Sequence, residues 1–237
     1  MAVMQSILSA VATHRPLLAV LLDPDKPFRA ELFASAQPDL ILVGGSTGNN
    51  ADQLVRRLKQ QLSVPVVLFP GNVAQFTPAA DALLFLSVLS SDNPDFLVGN
   101  QIKAAASVHA SGIESIPMGY ILVDGGRTTS VQRATGSQPI PRDNIRRIID
   151  TAIAAELLGK QLVYLEAGSG AAIPVAPETI AAVRRQIRVP LIVGGGICTV
   201  QQMQDAFRAG ADIVVIGNHF EQHPEQLKAF VEGASSL

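Results

Sequence analysis

The chain has 237 residues, a length that suits one α/β barrel better than two small domains. Hydrophobic residues make up 48% and charged residues 16%, so a large core can be buried and a disordered chain is excluded. The formal net charge is −2 with no basic run, which argues against nucleic-acid binding; the one cysteine, Cys198, rules out an internal disulfide and fits a reducing, cytoplasmic setting.

The opening segment, MAVMQSILSAVATHRP, lacks a basic start and a long apolar run, and reads as an amphipathic helix rather than a signal peptide. No stretch approaches the ~20 apolar residues that cross a bilayer. Eight short apolar runs then recur at 16–22, 40–43, 64–69, 82–86, 116–123, 162–165, 189–193 and 212–216. They are rich in Val, Ile and Leu without strict alternation, the pattern of parallel strands buried on both faces. Helical patterns lie between them. Residues 50–62 place Leu54, Val55, Leu58 and Leu62 on one face, and 143–158, 177–187 and 200–209 behave likewise. Asp143 and Thr199 read as N-caps, and Gly159 and Gly210 as helix stops. Repeated strand–helix alternation implies a parallel sheet, and eight units imply a closed (β/α)₈ barrel, a single domain spanning 1–237. Two places break the rhythm. Residues 70–81 are too few, and too rich in turn formers, for a full helix after strand three, and 124–142 form a long polar loop of the kind that carries function.

In such a barrel the site lies at the C-terminal strand ends. Polar and glycine residues follow nearly every apolar run. Gly194, Gly195 and Gly196 after strand seven, and Gly217 with Asn218 after strand eight, can form a phosphate cradle from backbone N–H groups, completed by Ser169 and Gly170 after strand six. The alternative is that these glycines only make tight turns. Asp23, with Ser46 or Thr47, offers a carboxylate and a hydroxyl for Mg²⁺, although Asp-Pro-Asp is also common turn chemistry. Glu166, after the apolar Leu162–Leu165 run, is the best general-base candidate, its alternative being a structural carboxylate. Tyr164 either orients a ligand or caps the barrel. The histidines are set aside: His14, His109 and His223 read as surface residues, and His219 lies near the mouth without a second histidine at metal-ligand spacing. No lysine ends a strand, which counts against Schiff-base chemistry. Cys198 reads as a buried filler. Phe76, Val88, Phe96 and Met118 are candidate walls for an apolar groove.

The ordered runs LLDPDKP, ILVGGSTG, PVVLFPGN, LFLSVLSSDNPDFLVGNQIKAA, PMGYILVDGGRTTSVQR, YLEAGSGA, LIVGGGI and VVIGN resemble the geranylgeranylglyceryl phosphate synthase family, its second group in particular. The resemblance spans about residues 21–218. It implies a modified TIM barrel, a (β/α)₈ barrel with one helix replaced by an extended segment after strand 3. It also implies a prenyltransferase that joins a polyprenyl group, geranylgeranyl for preference, to the 3-hydroxyl of sn-glycerol 1-phosphate. The implied glycerol 1-phosphate contacts are Tyr164, Leu165, Glu166, Ala167, Gly168, Ser169, Gly170, Gly195, Gly196, Gly217 and Asn218. Mg²⁺ is carried over to Asp23 and Ser46, with Thr47 the alternative to Ser46. Homo-oligomers, dimers or hexamers, and transient membrane contact are further implications. The sequence departs from bacillary relatives at Leu21, where they carry lysine. Two rival readings stay open: another barrel enzyme acting on a sugar phosphate or thiamine precursor, separated by its second substrate, and a non-catalytic phosphate-ligand sensor, which the presence of both Asp23 and Glu166 disfavours.

Overall fold

The computed structural model describes residues 2–27, 29–45 and 51–237. Eight parallel strands close into a barrel in chain order, with the eighth against the first. They are β1 (Leu17–Leu22), β2 (Leu40–Val43), β3 (Val66–Leu68), β4 (Ala82–Val88), β5 (Glu114–Leu122), β6 (Leu162–Glu166), β7 (Leu191–Gly194) and β8 (Ile213–Ile216). The strands are aliphatic on both faces because both faces are buried. Leu17, Ala19, Leu42, Val67, Leu84, Met118, Leu162 and Val215 fill the lumen. Their alternates, among them Leu18, Val20, Ile41, Val43, Leu68, Val163 and Val193, pack beneath the outer helices. Each large side chain so buried contributes roughly 1.5–3 kcal/mol of transfer free energy.

The first helix, α1 (Val3–Ala12), sends Val3, Ile7 and Ala10 into the lumen cluster and so seals one end of the barrel. It has no side-chain cap of its own. The Glu114 carboxylate, at the start of β5, accepts from Val3 N–H (2.6 Å) and Met4 N–H (2.9 Å) and serves instead. The outer layer continues with α2 (Ala30–Ala36), α3 (Ala51–Gln61), α4 (Asn100–Ser111, entered through a π-helical turn, Asp95–Gly99), α5 (Ser130–Thr135), α6 (Ile145–Leu157), α7 (Pro177–Arg184), α8 (Val200–Arg208), α9 (Asn218–Gln222) and α10 (Leu227–Ser235). Gly119 lets α6 approach β5 closely, since a Cβ there would lie 2.7 Å from that of Ala155.

The expected stops hold: Gly159 and Gly210 adopt φ of +76° and +109° just past α6 and α8. Thr199 caps α8 in a reciprocal box with Gln202. The cap of α6 is Asn144, not Asp143; the chain enters the helix one residue later, and the Asn144 side-chain Oδ1 accepts from Arg147 N–H at 3.2 Å. Between β3 and β4 there is only a short 3₁₀ turn, Val73–Gln75, where the other connections carry helices. The 124–142 segment is less irregular than expected. It holds α5, opened by a Thr129–Gln132 capping box, and Ile140 pairs with Val123 to extend the sheet.

Candidate active site

The main cavity, about 470 Å³, opens at the C-terminal strand ends. Glu166 ends β6 with its side chain turned into the lumen, in the same alternation as Leu162 and Tyr164, and is only 7% exposed. Its Oε1 accepts the Gly168 N–H at 2.7 Å. Burial raises its pKa above the ordinary carboxylate value; the neighbouring Tyr164 hydroxyl and the Gly168 N–H, which favour the charge, offset this only in part. Phe69, Tyr120 and Tyr164 stack beneath it, with ring centroids 5.4–6.1 Å apart. Burial, followed by the Glu166 charge, lifts both phenols well above 10, so they stay neutral. The buried Tyr164 hydroxyl lies beside Glu166 but makes no hydrogen bond of ordinary geometry among the described residues. Gly194 makes room for this group: a Cβ there would lie 2.3 Å from the Tyr164 hydroxyl and 2.9 Å from Glu166 Oε2.

A glycine rim surrounds the carboxylate. Gly170, Gly195 and Gly196 have φ of +73°, +82° and +73°, and their N–H groups donate to nothing among the described residues. Left-handed glycines with unspent N–H groups form an anion-binding concavity. Ser169 Oγ donates to Asn218 Oδ1 at 2.9 Å, which joins the β6 rim to the β8 rim. Tyr164, Glu166, Ser169, Gly170, Gly195, Gly196, Gly217 and Asn218 all line the cavity. Leu165 and Ala167 do not. They alternate outward into the layer beneath the helices. Gly168 also lies off the cavity wall and acts through its N–H to Glu166; at φ +101° it faces Thr129, whose Cγ2 would lie 2.0 Å from an added Cβ.

Asp23 lines the cavity from the β1 end. Its Oδ1 accepts Asp25 N–H at 3.0 Å, and Gly45 yields the space its carboxylate occupies, an added Cβ lying 2.8 Å from Oδ1. Gln75, almost wholly buried, fixes this edge by donating to the Gly45 carbonyl (2.7 Å) and accepting from Gly71 N–H (2.8 Å). Ser46 and Thr47 lie outside the described residues. No cluster of three or more His, Cys, Asp or Glu occurs among the described residues. One open carboxylate suits Mg²⁺, which is commonly held by one or two carboxylates, waters and substrate phosphates.

The apolar walls differ from expectation in part. Val88 and Phe96 line the cavity. Phe76 lines an adjoining pocket of about 70 Å³ that shares Leu86 and Phe96 with the main one. Met118 is fully buried in the lumen below, because its register with Leu86 and Leu162 sets it too deep. Cys198 is exposed and borders the mouth rather than filling the core, since the chain after β7 has already turned into the rim loop. His219 reaches the mouth but is engaged by Gln226 at 2.9 Å. Sequence reasoning missed Tyr120, Phe69, the α5 residues Val131 and Ala134, and the pair Lys26–Glu221, all on the cavity wall. Tyr120 was open to detection, as it shares the Met118–Leu122 alternation of β5.

A closed parallel barrel with a buried carboxylate beside a glycine anion cradle defines the class of phosphate-binding (β/α)₈ enzymes. Within it, the chain belongs to the PcrB family, whose model matches residues 11–234. It is 46% identical over 227 residues to the geranylgeranylglyceryl phosphate synthase of Zunongwangia profunda, covering 92% of this chain and 97% of that one. It is also 46% identical over 212 residues to the protein of that name from Thermococcus gammatolerans, covering 86% and 83%. The crystal structure of (S)-3-O-geranylgeranylglyceryl phosphate synthase from Thermoplasma acidophilum, in complex with its substrate sn-glycerol-1-phosphate, matches with a TM-score of 0.92 at 34% identity, covering the whole of both chains.

Proposed function

We propose that the chain, acting as one barrel domain, transfers a polyprenyl group, geranylgeranyl as the named relatives suggest, from its diphosphate to the 3-hydroxyl of sn-glycerol 1-phosphate. The observation that carries this is the shared cavity, which Glu166, the glycine rim of β6–β8 and Asp23 at the neighbouring β1 end all line. The rim holds the phosphate of glycerol 1-phosphate and so fixes the nucleophile. Glu166 accepts the 3-hydroxyl proton as the oxygen bonds to the allylic carbon. The bond from that carbon to the diphosphate oxygen breaks, and its electron pair leaves with diphosphate. Mg²⁺, when bound, supplies charge neutralisation at the leaving group; Asp23 would hold it, with Ser46 or Thr47. Leu21, Phe69, Leu86, Val88, Phe96 and Val131 give the apolar wall along which the prenyl tail lies.

Homo-oligomerisation as dimers or hexamers belongs to the same proposal. Exposed Val98, Ile102, Leu157 and Leu158 are apolar surfaces that an interface would cover. No helix among the described residues is long and apolar enough to cross a membrane. The enzyme is proposed to work in the cytoplasm, meeting the bilayer only transiently through its lipid substrate and product.

The metal assignment is tested by titrating Mg²⁺ into Asp23→Asn with both substrates. The Mg²⁺ concentration for half-maximal rate should rise about tenfold or more, the equivalent of losing one charged oxygen ligand worth ~1.4 kcal/mol. An unchanged Mg²⁺ dependence removes Asp23 from the metal site.

A further inference from the structure

We propose that Lys26 grips the diphosphate of the prenyl donor and that Glu221 positions it to do so; this rests on the reading that the diphosphate lies at the Asp23 side of the cavity. Lys26 closes the turn after β1, and its N–H donates to the Asp23 carbonyl at 3.0 Å. Its ammonium spans the seam between the first and last strands to reach Glu221 Oε2 on α9, at 2.5 Å. Both side chains line the main cavity. The Glu221 side chain is 17% exposed and that of Lys26 46%, so the carboxylate is the anchored partner and the ammonium faces the opening.

An ammonium has three donors. One serves Glu221, which leaves two for an anion arriving beside Asp23. The cavity needs such a group. Among its described lining residues the acids are Asp23, Glu166 and Glu221, and the cations are Lys26 and Arg133. Arg133 sits on α5, which follows β5, whereas β1 pairs with β2 and β8, so Arg133 stands away from the β1 rim. Lys26 is therefore the cation placed for a polyanion at the β1 rim. An ion pair with a merely structural role would leave donor binding unmoved.

The test compares Lys26→Met, Glu221→Ala and the double variant in steady-state kinetics at saturating Mg²⁺, with geranylgeranyl diphosphate and sn-glycerol 1-phosphate, and with inorganic diphosphate as inhibitor. Lys26→Met should raise the donor KM and the diphosphate inhibition constant about tenfold, the loss of one charge-assisted contact. The KM for glycerol 1-phosphate should move less than about twofold, and Lys26→Arg should recover most of the loss. Glu221→Ala should raise the donor KM about threefold alone and add nothing to Lys26→Met, as expected of a residue that acts through another. An unchanged donor KM and inhibition constant in Lys26→Met overturns the grip, and equal losses from Glu221→Ala in both backgrounds overturn the positioning. Asp23→Asn assayed alongside separates the two readings. If it weakens donor binding while Lys26→Met does not, only the role of Lys26 fails; if neither does, the placing of the diphosphate fails with it.

Discussion

Replacing Glu166 by glutamine is expected to lower kcat by roughly 10²–10⁴-fold while the KM for sn-glycerol 1-phosphate changes little, since general-base catalysis contributes about that much. The exchange is nearly isosteric. The amide oxygen can still accept the Gly168 N–H, and the glycine rim proposed to hold the phosphate is untouched. In the parent enzyme, burial raises the pKa of Glu166, so the rising limb of the kcat/KM profile should lie above the ordinary carboxylate range and be absent from the variant. The same shift has a sign for stability. A carboxyl group whose folded pKa is raised binds more protons folded than unfolded, so its ionisation costs stability as pH rises from the unfolded value of about 4.3 through the folded one. Glu166→Gln should therefore raise the melting temperature at pH 7–8 and lose that advantage below about pH 4. Near-normal kcat in the variant would remove Glu166 from the chemistry, and a variant no more stable at neutral pH would contradict the burial argument.

Gly195→Ala is the second change expected to have a large effect. A Cβ at this position would lie 2.3 Å from Glu166 Oε1, 2.6 Å from Gly168 N and 2.9 Å from Ala167 N. Two of those neighbours are backbone and the third is the buried Glu166 carboxylate, so none can retreat without disturbing the site. The φ of +82° adds strain for any residue with a side chain. We expect a stability loss of about 1–3 kcal/mol in chemical denaturation, with kcat/KM for glycerol 1-phosphate falling on the order of 100-fold from misplacement of the base and cradle. Gly170→Ala is the internal comparison. Its φ of +73° is similar, but the nearest atom, Asn218 Nδ2, is 3.5 Å away. It should cost comparable strain and far less activity. Equal losses of activity in the two variants would mean that the tight contact with Glu166 does not matter.

Much of this arrangement was legible in the sequence because parallel barrel strands are buried on both sides. Runs such as Leu40–Val43 carry no polar interruption, and the first polar residue after each run, Asp23 or Glu166 for example, falls at the rim. The glycines of the β7 end were legible for a related reason: only glycine takes the left-handed backbone of Gly195 and Gly196 and the close approach at Gly194. Depth inside the barrel was not legible. Alternation turns Met118 and Tyr120 to the same side, but the stagger between strands decides that Tyr120 stands level with Tyr164 beneath Glu166 while Met118 is sealed below. The α5 helix was obscured by glycine and threonine around it, although its Thr129–Gln132 capping box is written in the chain. Lys26 and Glu221 are 195 residues apart and meet only because β8 closes on β1. No local pattern announces such a pair.

A crystal structure with sn-glycerol 1-phosphate and a non-reacting prenyl diphosphate analogue bound together is the most direct measurement of the two-pocket arrangement. The glycerol phosphate should rest on the N–H groups of Gly170, Gly195 and Gly196, with its 3-hydroxyl about 2.6–3.2 Å from the Glu166 carboxylate and the diphosphate at Asp23 on the β1 rim. A single occupied pocket, or a 3-hydroxyl turned away from Glu166, would contradict it.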